Sequence, residues 1–147
     1  MKLKSLKKQT LYNSIINYLT KNGNKELAKK NFHLSLIKAS KIANIGSQYL
    51  LALVFKKLSV SVEVKDVHRR GKNFKIPFFI TLKRQRYLSI KWFFKSIQQN
   101  KSNSNFQEKI IFELLNILKT KKAKSLVFKE QNIKLALANR SNIHYRW

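Results

Sequence analysis

Cysteine is absent from the 147 residues, which excludes disulfides, thiolate catalysis and cysteine-ligated zinc. Glycine occurs only three times, at Gly23, Gly46 and Gly71, too scattered for a glycine-rich phosphate loop. Acids are equally scarce: Glu26, Glu63, Asp66, Glu108, Glu113 and Glu130 are all there are. Glu108 and Glu113 are the one conceivable catalytic pair, but at five residues apart on a helix they diverge, and they are expected to face solvent. The histidines His33, His68 and His144 show no His-x-x-x-His or Glu-x-x-His spacing, so no metal site is expected. The longest apolar run, Tyr49 to Phe55, falls far short of the roughly 20 residues that a membrane-crossing helix needs. No catalytic residue, metal or cofactor is expected, and the chain does not read as an enzyme.

Positive charge fills the space these absences leave. Thirty-two Lys and Arg against six acids give a formal net charge of +26. A free domain with that imbalance repels itself and calls for a polyanion, nucleic acid first and an anionic membrane surface second. The densest stretch holds Lys65, Arg69, Arg70, Lys72, Lys75, Lys83, Arg84, Arg86, Lys91 and Lys95 against one acid, Asp66. A second patch is Lys21, Lys25, Lys29 and Lys30; a third is Lys119, Lys121, Lys122 and Lys124. Either could be an ordinary solvated face. Arginine supplies only six of the cations, at 69 and 70, 84 and 86, and 140 and 146. The lysine bias fits an AT-rich gene, and the few arginines are expected where a planar, bidentate donor is needed. Arg84 and Arg86 fall in the first turns of a helix, where cations oppose the helix dipole; an anion such as phosphate is expected to compensate.

The length suits one domain with a core of its own. Apolar spacing predicts a helix over Leu11 to Lys21 with Leu11, Tyr12, Ile15, Ile16 and Leu19 on one face, capped by Thr10 and stopped by Asn22-Gly23. The basic start, Met1 to Lys8, reads as a disordered arm, since it has neither the apolar core of a secretory signal nor the arginines of a transit peptide. A second helix is expected over Lys25 to Asn44 with the stripe Leu27, Ala28, Phe32, Leu36, Ala39 and Ala43, and a third from a Ser47 cap to Lys57. Val60, Val62 and Val64 alternate with polar residues, and Phe74 to Leu82 is aromatic and β-branched; with Gly71 between, they predict a hairpin over residues 60–82. Pro77 requires an edge or a bulge. Helices follow over Arg86 to Gln99 (Leu88, Trp92 and Phe93 inward), from a Ser104…Gln107 capping box to Leu118, and from a Ser125 cap to Asn142. Phe32, Phe55, Trp92, Phe93 and Phe112 are expected in the core rather than stacked on bases. The resulting fold class is mainly α: six helices with a β-hairpin between the third and fourth. Residues 1–9 form the basic arm, and residues 10–147 a single domain.

The last nine residues, Asn139-Arg140-Ser141-Asn142-Ile143-His144-Tyr145-Arg146-Trp147, resemble the C-terminal signature of the universal seventh protein of the small ribosomal subunit, which ends in His-Tyr-Arg-Trp. Val62-Glu63-Val64-Lys65, running through Gly71 to Ile76-Pro77, is similar to that family's hairpin. Leu88-Ser89-Ile90-Lys91-Trp92 is similar to a helix start in the family, at a distance from Val62 that agrees without gaps, and Asn22-Gly23-Asn24-Lys25 resembles the loop between its first two helices. The departures are local. The family's double glycine is Arg70-Gly71 here, its preceding arginine pair is Val67-His68, and its His-Arg pair in the last helix is Ile133-Lys134.

The resemblance implies a six-helix bundle with a hairpin arm. It implies binding to the 3′ major domain of small-subunit ribosomal RNA, a role in organising head assembly, and a hairpin near the exit site for tRNA and mRNA. Neighbouring head and platform proteins would be partners, and a membrane would not. On it, Lys65, His68, Arg69, Arg70, Lys72 and Lys75 fall on the arm, and Arg84, Arg86, Lys91 and Lys95 on the helix facing RNA. Lys21, Lys25, Lys29, Lys83, Lys122, Lys124, Arg140, His144 and Arg146 complete the expected RNA-binding set. Divergence and lysine bias point to a mitochondrial ribosome, and the lack of transit-peptide character at the basic start leads to the expectation that the protein is made inside the organelle. The rivals are an architectural DNA-compacting protein and a basic membrane-surface protein; a cryptic hydrolase ranks last.

Overall fold

The computed structural model describes residues 2–69, 71–102, 104–119 and 123–146. Within them the chain runs α1 (Lys2–Leu19), α2 (Lys25–Ala43), α3 (Ser47–Leu58), β1 (Val62–Arg69), β2 (Lys72–Phe79), α4 (Leu82–Gln98), α5 (Phe106–Lys119), α6 (Lys124–Ala138) and a 3-10 turn, η1 (Arg140–Tyr145). This is the expected mainly α fold, with the hairpin between the third and fourth helices.

Several boundaries differ from the sequence expectation, each for a local reason. The first helix begins at Lys2, not Leu11, and Thr10 lies inside it. The preceding residues contain no Gly or Pro and are dominated by Lys, Leu and Gln, all good helix formers. The helix stops at Leu19, and Asn22 and Gly23 turn the chain with positive φ of 50° and 77°. At the end of α2, Asn44 adopts the left-handed conformation and the Ile45 N–H returns to the Ser40 carbonyl at 3.1 Å, a Schellman-type closure made without glycine. Gly46, not Ser47, caps α3. The α4 helix starts at Leu82 because the Thr81 hydroxyl accepts from the Arg84 N–H. The box at α5 sits one residue later than expected: the Asn105 N–H donates to Glu108, while Gln107 reaches across to Asn31 on α2.

The core is one cluster assembled from α1 to α5: Ile15, Phe32, Leu50, Leu58, Phe93, Ile110, Leu114 and Ile117 are fully enclosed. Phe93 touches Phe55 and Phe94 at ring-centroid distances of 5.7 and 5.1 Å, geometry that adds to the burial term. Two residues expected inside are outside: Leu27 is 59 % exposed and Phe112 57 %. Trp92 is half-buried.

Helix α6 joins the bundle differently. Its buried residue is polar: Ser125, which donates through its N–H (3.2 Å) and hydroxyl (2.6 Å) to the carboxylate of Glu113 on α5. Ala123, not Ser125, is its N-cap, and the helix ends at Ala138, not Asn142. The expectation that Glu113 faces solvent is therefore corrected. It is only 6 % exposed, and its negative charge sits against the positive end of α6, which the helix dipole favours. Glu108 is exposed as expected.

Lysines close the opposite helix ends. Lys57 donates to the carbonyls of Ile117 and Leu118 at the end of α5, and Lys129 to the carbonyl of Lys57 at the end of α3. Part of the cationic excess is thus structural, spent on carbonyls that have no partner within their own helix.

Candidate nucleic-acid interface

The hairpin spans Val62 to Phe79 rather than 60–82, and its strands run closer to the turn than the apolar pattern indicated. Its strands pair one-to-one from Val62↔Phe79 to Arg69↔Lys72, leaving only Arg70 and Gly71 as the connection. Polar residues continue the ladder because it needs only backbone groups, and an arm standing clear of the body needs no apolar face at its tip. Gly71 has a φ of +73°, which a tight hairpin connection requires and glycine allows. Eight residues per strand give an arm about 26 Å long. Pro77 pairs with Val64 without a bulge, and in a two-stranded sheet both strands are edges, so the edge expectation holds.

Lys65, His68, Lys72 and Lys75 are exposed on the arm. Asp66, the acid nearer the tip, lies directly across the ladder from Lys75. His68 Nδ1 lies 2.7 Å from the Asn73 side-chain oxygen, and Lys65 Nζ is 5.6 Å from the centre of the Phe78 ring. Arg70, Lys122 and the side chain of Arg69 lie outside the described residues.

At the root, Arg84 grips Glu63 through two hydrogen bonds, Nη2 to Oε1 at 2.7 Å and Nε to Oε2 at 2.9 Å. Glu63 is 14 % exposed and Arg84 45 %. The Arg84 hydrogen bond holds the Glu63 carboxyl below its ordinary pKa range; burial opposes this, and the charges of Arg84, Lys65 and Lys91 assist. Glu63 in turn raises the Arg84 pKa. The anion expected beside Arg84 is thus the protein's own carboxylate, and no phosphate is needed to balance that guanidinium.

The groove beside the root is where separate patches meet. It has a volume of 1030 Å³ and runs between α1, α2, α3 and the start of α4. Its walls include Tyr12, Leu36, Leu51 and Phe55, with Lys29, Lys30, His33, Lys56 and Arg86 as cationic or titratable groups and Glu26 as the acid. Lys29 and Arg86, more than fifty positions apart in sequence, share this wall. Arg86 also borders a smaller cleft with Lys83, Tyr18 and Tyr87. Lys21 and Lys25 are exposed where α1 passes into α2. Lys56 was not among the expected residues. Its only sequence signal is a Lys-Lys pair closing an apolar helix, and the groove it lines is created by tertiary packing.

Other expected residues lie elsewhere. Lys91 is exposed on α4. Lys95, in the last turn of α4, sits 4.8 Å from the Phe128 ring. Lys124 reaches the Gln99 carbonyl at 3.4 Å, which along α4 is about 15 Å beyond Ser89, the last residue of that helix on the groove. Arg140 and His144 are exposed on η1. Arg146 is half-buried, donates from Nε to the Pro77 carbonyl at 2.9 Å, and covers the Phe79 ring at 5.2 Å. Like Arg84, it is committed to the fold.

The chain that forms this basic arm, helical bundle and cationic groove matches the family model for ribosomal protein S7p/S5e across residues 2–140. The chain belongs to this family. S7p/S5e proteins are structural rather than catalytic. Among the described residues no cluster of potential metal ligands occurs. The chain is 26 % identical to the small ribosomal subunit protein uS7m of Drosophila melanogaster, over 90 % of this chain and 67 % of the fly protein. It is 30 % identical to the uS7m of Prototheca wickerhamii over 75 % of this chain, a match spanning half of that protein's length. With the uS7m of Reclinomonas americana it shares 28 % identity over 90 % of this chain and 82 % of the relative. The S7p/S5e match takes in the arm, the groove and the whole of α6.

Proposed function

We propose that this S7p/S5e protein is a structural constituent of the small subunit of a mitochondrial ribosome, made inside the organelle, in which residues 10–147 act as a single RNA-binding domain. It binds the 3′ major domain of the small-subunit ribosomal RNA, organises assembly of the head, and extends its hairpin toward the tRNA and mRNA exit site, with head and platform proteins as neighbours. The observation that carries this reading is the S7p/S5e match together with an exposed cationic arm rooted beside the basic groove. Three relatives named as mitochondrial small-subunit proteins and the lysine bias support the compartment. Phosphates would be met by Lys65, Lys72 and Lys75 on the arm, Lys29 and Arg86 at the groove, and Lys83 beside it. Such contacts position the protein on folded RNA by shape and charge.

The test is binding of the purified protein to a transcript of the 3′ major domain across a salt titration, with duplex DNA as competitor. Log affinity falls by about 0.7–0.9 per phosphate contacted for each log unit of salt, and the transcript outcompetes duplex DNA. Equal affinity for the two would overturn the ribosomal reading in favour of DNA compaction.

A further inference from the structure

Within the His-Tyr-Arg-Trp ending, Tyr145 and Arg146 are turned onto the hairpin, while His144 is exposed. The hairpin is a two-stranded sheet, an element of marginal stability on its own. Its ladder has a readable parity. The Ile80 N–H bonds to the Ser61 carbonyl at 3.1 Å, so in this register Ser61–Ile80, Glu63–Phe78 and Lys65–Ile76 are the hydrogen-bonded pairs. The carbonyls of Val62, Lys75 and Pro77 therefore face outward, on the open edges. All three are occupied. Asn132 of α6 donates to Val62 at 2.7 Å. On the other edge, Asn142 donates to Lys75 at 3.0 Å and Arg146 to Pro77 at 2.9 Å.

The spacing fits this arrangement. Two strand residues advance about 7 Å, and four residues of a 3-10 turn advance about 8 Å. Asn142 and Arg146 thus fall opposite successive outward carbonyls of β2. Tyr145, between them, stacks on Phe74 with a ring-centroid distance of 4.7 Å.

We propose that η1 and Arg146 form a positioning latch: Asn142, Tyr145 and Arg146 occupy the open edge of β2 and set the direction of the hairpin arm. This rests on reading the hairpin as the RNA-contacting arm. The latch grips β2 at Phe74, Lys75 and Pro77, from the middle of the strand toward the body, short of Lys72 at the tip. An arm so held loses little conformational freedom when RNA binds, and pre-ordering of that kind strengthens binding without adding a contact.

The test uses the full chain and reads amide hydrogen exchange by mass spectrometry, with peptides over residues 62–79 compared against reference peptides in α3 and α5. The variants are Asn142→Ala, Arg146→Lys and the two combined. Arg146→Lys is the discriminating change, because lysine keeps the charge a phosphate would see but loses the Nε donor and the flat face over Phe79. In the double variant, hairpin exchange rises on the order of tenfold for two lost hydrogen bonds, while the reference helices keep their protection. Unchanged hairpin exchange overturns the latch. Should the double variant lose protection everywhere, the single change Asn142→Ala is read by the same criterion. Affinity for the 3′ major domain transcript is measured in parallel. Faster hairpin exchange with undiminished affinity would uphold the latch and sink the arm as the RNA contact.

Discussion

Glu63 and Glu113 are the two acids that the fold takes inside, and each does work that its charge alone does not indicate. Glu113 receives both donors of Ser125 at the start of α6. Glu113→Ala strands those donors in a buried site, at a cost of about 1–3 kcal/mol, seen as a lower urea midpoint. Ser125→Ala removes one donor and costs less. Glu63 titrates below the ordinary glutamate range because Arg84 hydrogen-bonds it. A depressed carboxyl pKa contributes stability that is complete above the ordinary range and is lost as pH falls through the depressed value. Glu63→Gln therefore destabilises the protein at neutral pH, by up to about 1 kcal/mol for a partly exposed pair, and the gap to wild type closes in acid. Urea midpoints of the two proteins from neutral pH to below the glutamate range check this, and a constant gap would exclude the ion pair as its source. Neither role was visible in sequence. Glu63 and Arg84 are 21 positions apart, Glu113 and Ser125 are 12, and no helical or strand period links either pair.

At the scale of elements, Gly71 and Pro77 make opposite predictions. Gly71 sits at φ +73° in open space, so Gly71→Ala meets no clash but must adopt a conformation that L-residues resist, at a cost of about 1 kcal/mol. Pro77 occupies a position whose N–H would face away from the ladder, so Pro77→Ala removes no ladder bond and loses only the packing of its buried ring. Amide exchange across β1 and β2 separates the two: Gly71→Ala speeds exchange at the tip around the turn, whereas Pro77→Ala leaves the tip near wild type. Six helices and the hairpin were legible because apolar period and turn residues agree over most of their length: Ile15 and Ile16, Phe32 and Leu36, Leu88 and Phe93 were expected inward and are buried. Boundaries were legible only where a backbone signal exists, as at Asn22-Gly23. The ends of β1 and β2 were not, because the ladder runs through Asp66, His68 and Lys72, where side chains carry no strand signal. Helix α6 buries a polar residue, Ser125, against Glu113, and no apolar period signals such an anchor.

For the whole molecule, charge governs. Most of the expected RNA-binding residues lie in dense basic runs, with Arg140, His144 and Arg146 in the C-terminal tail, yet the fold sorts them. Arg84 and Arg146 are bound to the protein itself, Lys124 sits at the far end of α4, and Lys29 converges with Arg86 at the groove. Sequence reading could count these cations but could not sort them, since the sorting depends on which helix ends and strand edges they meet. A net charge of +26 also makes the free and bound states respond oppositely to salt. In the free protein like charges repel, and raising ionic strength from about 0.01 to 0.1 M shortens the screening length from roughly 30 to 10 Å, so the melting temperature rises with salt. In the RNA complex the same ions compete for the phosphates, so binding weakens and the stabilisation contributed by RNA falls. Melting curves recorded with and without the 3′ major domain transcript should therefore converge as salt increases, the free curve moving up and the complex moving down. A free protein whose melting temperature falls with added salt would mean that its positive charges are already balanced within the fold, and the case for a polyanionic partner would lose its physical basis.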